Sequence, residues 1–347
     1  MYLTRRGGEG EFMLIPVLLF ALGLVFLIKG GDWFVDGAAG IAERFHVPDL
    51  LIGATVVSIG TTLPEVMVSA NSALSGHGEI AYGNAIGSVI CNTSLILAIT
   101  IAIRPSKVER KDLRTPVIFF FIAAAFYATI AYTTQSFTRI TGVILLIMFG
   151  VYMYLTIKDV ISLQKTKDTM KTDDSGEESQ SEKPEEASMT KLIVLLIVGA
   201  VLIAVGADLL VDNGTLIAEG LGVPESVIAL TFVALGTSLP ELVTAITSLL
   251  KGHGALSLGN ICGANLFNLV LVSGLSIVLG PFKVPAEKTV SLGGKEVIAS
   301  LAIDIPVMFA VMLILTIPAL GRGKLSRAQG IVLLCIYFGF TLFQLFG

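Results

Sequence analysis

Long apolar stretches separated by short polar breaks run through the whole chain. Ten are long enough to cross about 30 Å of hydrocarbon as helices. They fall at 13–35, 50–75, 80–103, 115–134, 138–158, 190–214, 225–250, 255–280, 299–319 and 327–346. Between the fifth and sixth lies 159–189, rich in Lys, Asp, Glu, Ser and Thr, which reads as a solvated linker. Its acidic run Asp173-Asp174-Ser175-Gly176-Glu177-Glu178 lacks the ligand alternation of an EF-hand loop.

The second half repeats the first. A shift of 176 positions aligns Asp32 with Asp208, Asp36 with Asp212, Pro48 with Pro224 and Thr55 with Thr231. The same shift aligns Gly60-Thr61 with Gly236-Thr237 and Leu63-Pro64-Glu65 with Leu239-Pro240-Glu241. It also brings Gly76-His77-Gly78 onto Gly252-His253-Gly254, Gly83-Asn84 onto Gly259-Asn260, and Asn92 onto Asn268. The segment following Arg5 and Arg6 has the look of a signal peptide, but a cleaved leader has no counterpart elsewhere, so it is retained as the first span. Five spans per half is an odd number, so the halves enter the membrane from opposite sides, as in many secondary transporters. The expected fold is an all-α membrane protein of ten helices in two inverted repeats, 1–158 and 190–347, with helices 2 and 7 broken.

Composition agrees with this pattern. Only 14% of the 347 residues are charged and mean hydropathy is +0.85, whereas soluble domains carry about 25% charged residues. The 36 glycines suit closely packed membrane helices. Cys91, Cys262 and Cys335 lie inside apolar runs and imply no disulfide framework. Loops after odd-numbered spans hold Arg44, Arg104, Lys107, Arg110, Lys111, Arg114, Lys251, Arg322, Lys324, Arg327 and the linker lysines. The other side has Arg5, Arg6, Arg139, Lys283, Lys288 and Lys295. The excess of positive charge predicts a cytoplasmic linker and both termini outside a cell membrane.

The chemistry concentrates in spans 2 and 7. In Gly60-Thr61-Thr62-Leu63-Pro64-Glu65 and Gly236-Thr237-Ser238-Leu239-Pro240-Glu241, glycine ends one half-helix and proline opens the next. The turn between them should free carbonyls at Ser58 to Thr61 and Ala234 to Thr237, which membrane depth tolerates only around a cavity or a bound ion. Glu65 and Glu241 stand three residues after Thr62 and Ser238, which is also capping-box spacing. Capping alone does not explain two acidic side chains at about 2.5–3.5 kcal/mol each at the bilayer centre, with no Lys or Arg in either segment to pair them. A bound cation does.

Spans 3 and 8 add Ser88 and Asn92, four residues apart on one helical face, and Asn268. Interhelical hydrogen bonds are the other explanation for the two asparagines. Glycines beside them should let each helix pack closely on the second span. Carboxylates, amides, hydroxyls and carbonyls make an all-oxygen site, which suits Ca2+ or Na+ and disfavours Zn2+ or Cu2+. His77 and His253 lie in loops on opposite faces and read as turn residues. Asp32, Asp36, Asp208 and Asp212 sit near helix ends and read as interfacial.

The paired Gly-Thr-(Thr/Ser)-Leu-Pro-Glu segments, each followed by Gly-Asn-x-x-Gly-(Ser/Ala), resemble the α-repeats of the Na+/Ca2+ exchanger family, over 31–95 and 207–271. The resemblance implies an antiporter with a diamond-like cluster of sites. Ca2+ would be held by Glu65 and Glu241 with the Thr61 and Thr237 carbonyls. One Na+ would take the Ser58 carbonyl, Thr62 and Ser88; its counterpart would take the Ala234 and Thr237 carbonyls and Ser238. Asn92 and Asn268 would complete the centre, and the first and sixth spans would slide against the other eight.

It further implies electrogenic Ca2+ extrusion driven by more than two Na+ per Ca2+. Two features depart from the family pattern. Ala264 stands where a serine is usual, which makes Ca2+/H+ exchange the alternative. Asn268 stands where K+-dependent relatives carry aspartate, which disfavours K+ co-transport. No enzymatic activity, cofactor or nucleic-acid partner is expected; the partners are the transported ions and the lipid bilayer, with the oligomeric state open.

Overall fold

In a computed structural model, residues 9–105, 107–173, 188–221, 236–286 and 288–346 are described. They are almost entirely helical. Helices α1 (Glu9–Arg44), α2 (Asp49–Leu74), α3 (Gly78–Ile103), α4 (Arg110–Thr133) and α5 (Arg139–Asp173) make the first half. Helices α6 (Met189–Gly220), α7 (Leu239–Leu250), α8 (Gly254–Leu279), α9 (Ser300–Arg322) and α10 (Arg327–Phe346) make the second. Among the described residues nine helices are long and apolar enough to span a membrane, and α7 is the described part of the tenth expected span. The chain is a multi-pass membrane protein.

Helix ends differ from expectation where polarity misleads. The first helix runs to Arg44, past the expected end at 35, because Phe34, Val35, Ala38 and Ala42 keep one face buried beyond Asp32 and Asp36. Helix α5 continues to Asp173, so the opening part of the expected linker is helical; residues 174–187 lie outside the described residues. Between α8 and α9 the chain forms a hairpin, β1 (Thr289–Leu292) with β2 (Lys295–Ile298), turning through Gly293 and Gly294 at positive φ. A Gly-Gly pair between short strands is a hairpin signal that hydropathy alone does not register.

The repeat shows in the turns. Gly76 and Gly252 both adopt positive φ, +83° and +88°, in the tight α2–α3 and α7–α8 turns, a conformation that costs glycine least. It shows again in α1 against α6. A Cβ on Gly23 would come 2.9 Å from the Gly206 carbonyl oxygen, and one on Gly30 would come 2.9 Å from that of Gly199. Gly23 corresponds to Gly199 and Gly30 to Gly206, so the two helices cross through paired, repeat-related glycines. Small residues are how membrane helices gain van der Waals contact when lipid supplies no hydrophobic drive.

Two separate apolar cores result. The larger joins α3, α4, α5, α8 and α9. The smaller joins α1 and α6 to the start of α2, around Phe34, Val35, Leu51, Ile52 and Ile203. On one face of the bundle the α7–α8 turn reaches across to this smaller unit. Lys251 Nζ lies 2.7 Å from Asp36 and 3.5 Å from Asp32, and His253 Nδ1 lies 2.9 Å from Asp49. Asp32 and Asp36 thus hold a lysine of the other repeat.

A Cβ on either of the α3 glycines Gly83 and Gly87 would meet no neighbour within 4 Å among the described residues, so the close packing expected of them against the second span is not made; it is the α8 glycines that close on α2. A Cβ at Gly259 would overlap the Leu50 carbonyl, and one at Gly263 would overlap the Ser58 hydroxyl and come 2.7 Å from Ala54. Backbone cannot yield as a flexible side chain does, so Gly259→Val should cost more than the about 1–3 kcal/mol of ordinary overpacking. The expected result is a clearly lower melting temperature for the detergent-solubilised protein, measured by thermal unfolding of the purified variant.

Candidate cation site

Helix α2 reaches the site through an irregular first half. Residues Gly53–Val57 form a π-helical stretch, and α-helix resumes from Ser58 to Leu74 with Pro64 inside it. The expected open turn at Gly60-Thr61 is therefore absent. Pro64 has no N–H, so the Gly60 carbonyl loses its α-helical donor without any opening of the chain. Displaced carbonyls one turn earlier are taken up by side chains: Tyr152 donates to Ala54 at 3.0 Å. The Ser58 hydroxyl lies 2.7 Å from the Gly53 carbonyl and 2.9 Å from that of Asn260. Ser58 thus ties α2 to α8, and its own carbonyl lies inside regular helix.

Helix α7 starts as the sequence predicts. Thr237 and Ser238 form a turn, Ser238 (φ −91°, ψ 2°) precedes the first residue, and Pro240 lies in the first turn. Ser238 makes no side-chain capping bond. Ala234, the carbonyl donor expected beside it, lies outside the described residues.

Glu65 and Glu241 are both fully buried, and among the described residues none of their four carboxylate oxygens has a hydrogen-bond partner. That removes the capping-box explanation. The two carboxylates stand close enough to repel each other, and the Thr61 hydroxyl lies near Glu241. Thr62 is buried with an unpartnered hydroxyl, and Asn92 and Asn268 are buried with both side-chain polar atoms unpartnered. The interhelical hydrogen bonds considered for these asparagines are not made. Each asparagine also begins a π-helical stretch, Asn92–Leu97 and Asn268–Val272. Such bulges re-aim side chains and gather at functional sites.

Two residues of the motif acquire roles that spacing did not reveal. Thr61 donates to Asn260 Oδ1 at 3.2 Å, and its repeat mate Thr237 donates to Asn84 Oδ1 at 3.4 Å. Each threonine is held by an asparagine of the opposite repeat. Asn84 also donates to the Ser69 hydroxyl at 2.8 Å and to the Glu65 carbonyl at 3.3 Å, and Ser88 sits 3.5 Å from its Oδ1. The signal was present, since Gly83-Asn84 and Gly259-Asn260 match in the repeat, but only the fold makes the pairing cross between halves.

Unpaired buried polar atoms cost about 1–3 kcal/mol each, and here they converge from α2, α3, α7 and α8. All are oxygen donors or amides, with two negative charges and no Lys or Arg among them. No cluster of three or more His, Cys, Asp or Glu exists among the described residues. The donor set therefore suits a hard cation that arrives and leaves rather than a resident transition metal. Ala264 is fully buried in α8 and brings no oxygen to this cluster.

The fold and site define a polytopic membrane carrier of hard cations, made of two halves that meet at a shared acidic centre. The chain belongs to the sodium/calcium exchanger protein family, whose pattern it matches over residues 15–158 and 191–346. It is a cation antiporter of the kind that handles Ca2+. It is 34% identical over 331 residues to a membrane protein of Methanocaldococcus jannaschii, covering 94% of this chain and 96% of that one. It is 31% identical to the sodium/calcium exchanger MaX1 of Methanosarcina acetivorans, covering 94% and 97%. A solved structure of the sodium-calcium exchanger NCX_Mj superposes with a TM-score of 0.76 at 32% identity, covering 94% and 97%.

Asn84→Ala and Asn260→Ala each remove the acceptor that fixes a site threonine. Each should weaken equilibrium Ca2+ binding by roughly fivefold or more, as expected for a lost buried hydrogen bond of about 1 kcal/mol or above. Binding of radioactive Ca2+ to the purified variants tests this, and the two should suffer alike because their bonds are repeat-related.

Proposed function

We propose that the chain carries Ca2+ out of the cell in exchange for Na+ by alternating access. The observation that carries this reading is the pair of fully buried carboxylates, Glu65 and Glu241, unpartnered among the described residues. One Ca2+ matches their charge of −2. Replacement by more than two Na+ would move net charge, making the exchange electrogenic. Thr62, Ser88, Asn92, Ser238 and Asn268, with the carbonyls of Ser58, Thr61, Ala234 and Thr237, are the remaining proposed ligands. Of the described ones, Thr237 is half-buried and the rest are buried. The face bearing the basic loops and the linker is proposed as cytoplasmic, with both termini outside.

The two apolar cores support a moving part. Because α1 and α6 pack mainly on each other through glycine, they can shift as a unit while the larger core stays intact. Sodium-calcium exchanger structures soaked with Na+ and with Ca2+ or its substitute Sr2+ are similar to this chain, which favours both ions as cargo. One observation favours a second reading, Ca2+/H+ exchange: Ala264 leaves the site short of a hydroxyl for Na+.

Reconstituted proteoliposomes decide between them. Ca2+ uptake should follow an outward Na+ gradient, generate a membrane potential, and vanish in Glu65→Gln and Glu241→Gln. Uptake indifferent to Na+ but driven by a pH gradient would establish the second reading. Ala264→Ser should lower the Na+ concentration for half-maximal exchange by roughly fivefold, the worth of about one added ligand hydrogen-bonding group at 1 kcal/mol, read from Na+ titrations of the same uptake.

A further inference from the structure

Several buried hydroxyls in these helices bond to their own backbone. Thr55 donates to Leu51, Ser94 to Ile90, Ser276 to Val272 and Thr316 to Met312, all at 2.5–2.7 Å and four residues back. That is the usual way to satisfy serine and threonine in a membrane helix. Beyond the cation site, the buried hydroxyls of Tyr82, Tyr127, Thr156, Thr244, Ser248 and Ser257 have no partner among the described residues, and the last three, 0%, 0% and 2% exposed, share the α7–α8 hairpin.

These three groups are arranged in line. Glu241, Thr244 and Ser248 fall at i, i+3 and i+7, one stripe of α7, whereas Ile246 and Leu250 on other faces are exposed. Helix α8 runs back from the tight turn at Gly252, so Ser257, in its first turn, lies toward the same end of the hairpin as Ser248. The stripe therefore leads from the acidic centre to the turn carrying Lys251 and His253. At that end lies a cavity of about 10 Å³ lined by Leu97, Thr100, Leu249, Ser257, Leu325 and the exposed Arg104, room for about one water molecule. Duplication accounts only for Ser248, whose repeat mate is Ser72; Thr244 and Ser257 correspond to Val68 and Ala81.

We propose that Thr244, Ser248 and Ser257 are transit residues, hydroxyls that replace hydration water around a cation passing between Glu241 and the membrane face bearing Lys251 and His253. This rests on the exchange reading above. A hydroxyl left without a protein partner at this depth is available to water or to an ion. The burial of all three means that the route is shut in this structure, and the asymmetry between repeats gives the two membrane faces chemically different access to one site.

The test is reconstituted protein carrying Thr244→Val, Ser248→Ala and Ser257→Ala singly and together, with 45Ca2+ as probe. The combined variant should turn over at least about tenfold more slowly, equivalent to about 1.4 kcal/mol on the barrier, with equilibrium Ca2+ binding and the KM for Ca2+ within about threefold, or under 0.7 kcal/mol, of the unmodified protein. Thr244→Ser and Ser248→Thr, which keep the hydroxyl, should restore the rate. Unchanged turnover in the combined variant overturns the proposal, as does a loss of binding that parallels the loss of rate. If the unmodified protein exchanges no Ca2+ under any ion gradient, the exchange reading itself fails and takes the transit role with it.

Discussion

Two carboxylates buried in a membrane protein without a basic partner set the terms for everything around them. A soluble protein could leave such groups at its surface or pair them with lysine. Here Glu65 and Glu241 lie inside the bundle with all four oxygens unpartnered among the described residues, and the apolar surroundings make each uncompensated charge expensive. The protein does not neutralise the pair internally. It surrounds it instead with groups that are themselves unsatisfied, so that compensation must come from a cation. A site that requires its cargo for electrostatic balance favours exchange over empty return, because the unloaded state carries the full cost.

Bringing those groups together requires backbones to approach closely, and glycine is what permits it. Gly53, Gly259 and Gly263 let α2 and α8 touch main chain to main chain. That contact carries the Ser58 bridge to Asn260 and places Asn260 against Thr61. The π-helical stretches serve the same end by another means. Each releases a carbonyl or rotates a side chain without breaking the helix, and two of the four among the described residues begin at the site asparagines. The second repeat uses an open turn at Thr237-Ser238 where the first keeps helix through Pro64. Equivalent sequences thus adopt different local geometry in the two halves.

The division of the apolar core has a mechanical consequence. Helices α1 and α6 are glued by repeat-related glycines into a unit with its own core. Its links to the α7–α8 hairpin are partly apolar, through Leu239, Val243 and Leu256, and partly polar, through Lys251 to Asp32 and Asp36 and His253 to Asp49. Ion pairs at a wet boundary are worth little and reform readily. Contacts of that kind can be exchanged for others without the penalty of opening a packed interior.

Much of this was legible in the residues. Hydropathy located the spans, the 176-residue shift exposed the duplication, and the isolated acidic positions singled out Glu65 and Glu241 as the candidate ion ligands, because an unpaired charge is costly at membrane depth. The assignment of the α8 glycines to a partner, the cross-repeat bonds of Asn84 and Asn260, and the continuity of α2 through Pro64 could not be read there. Each depends on which helix lies beside which, and a repeat in one dimension does not say whether its halves pack side by side or interleave. What the sequence by itself determined was the inventory: two acids, their flanking hydroxyls and amides, and the membrane that makes them costly. Only the tertiary structure decided the pairing, since interleaving the halves through glycine is what turns two copies of a motif into one site.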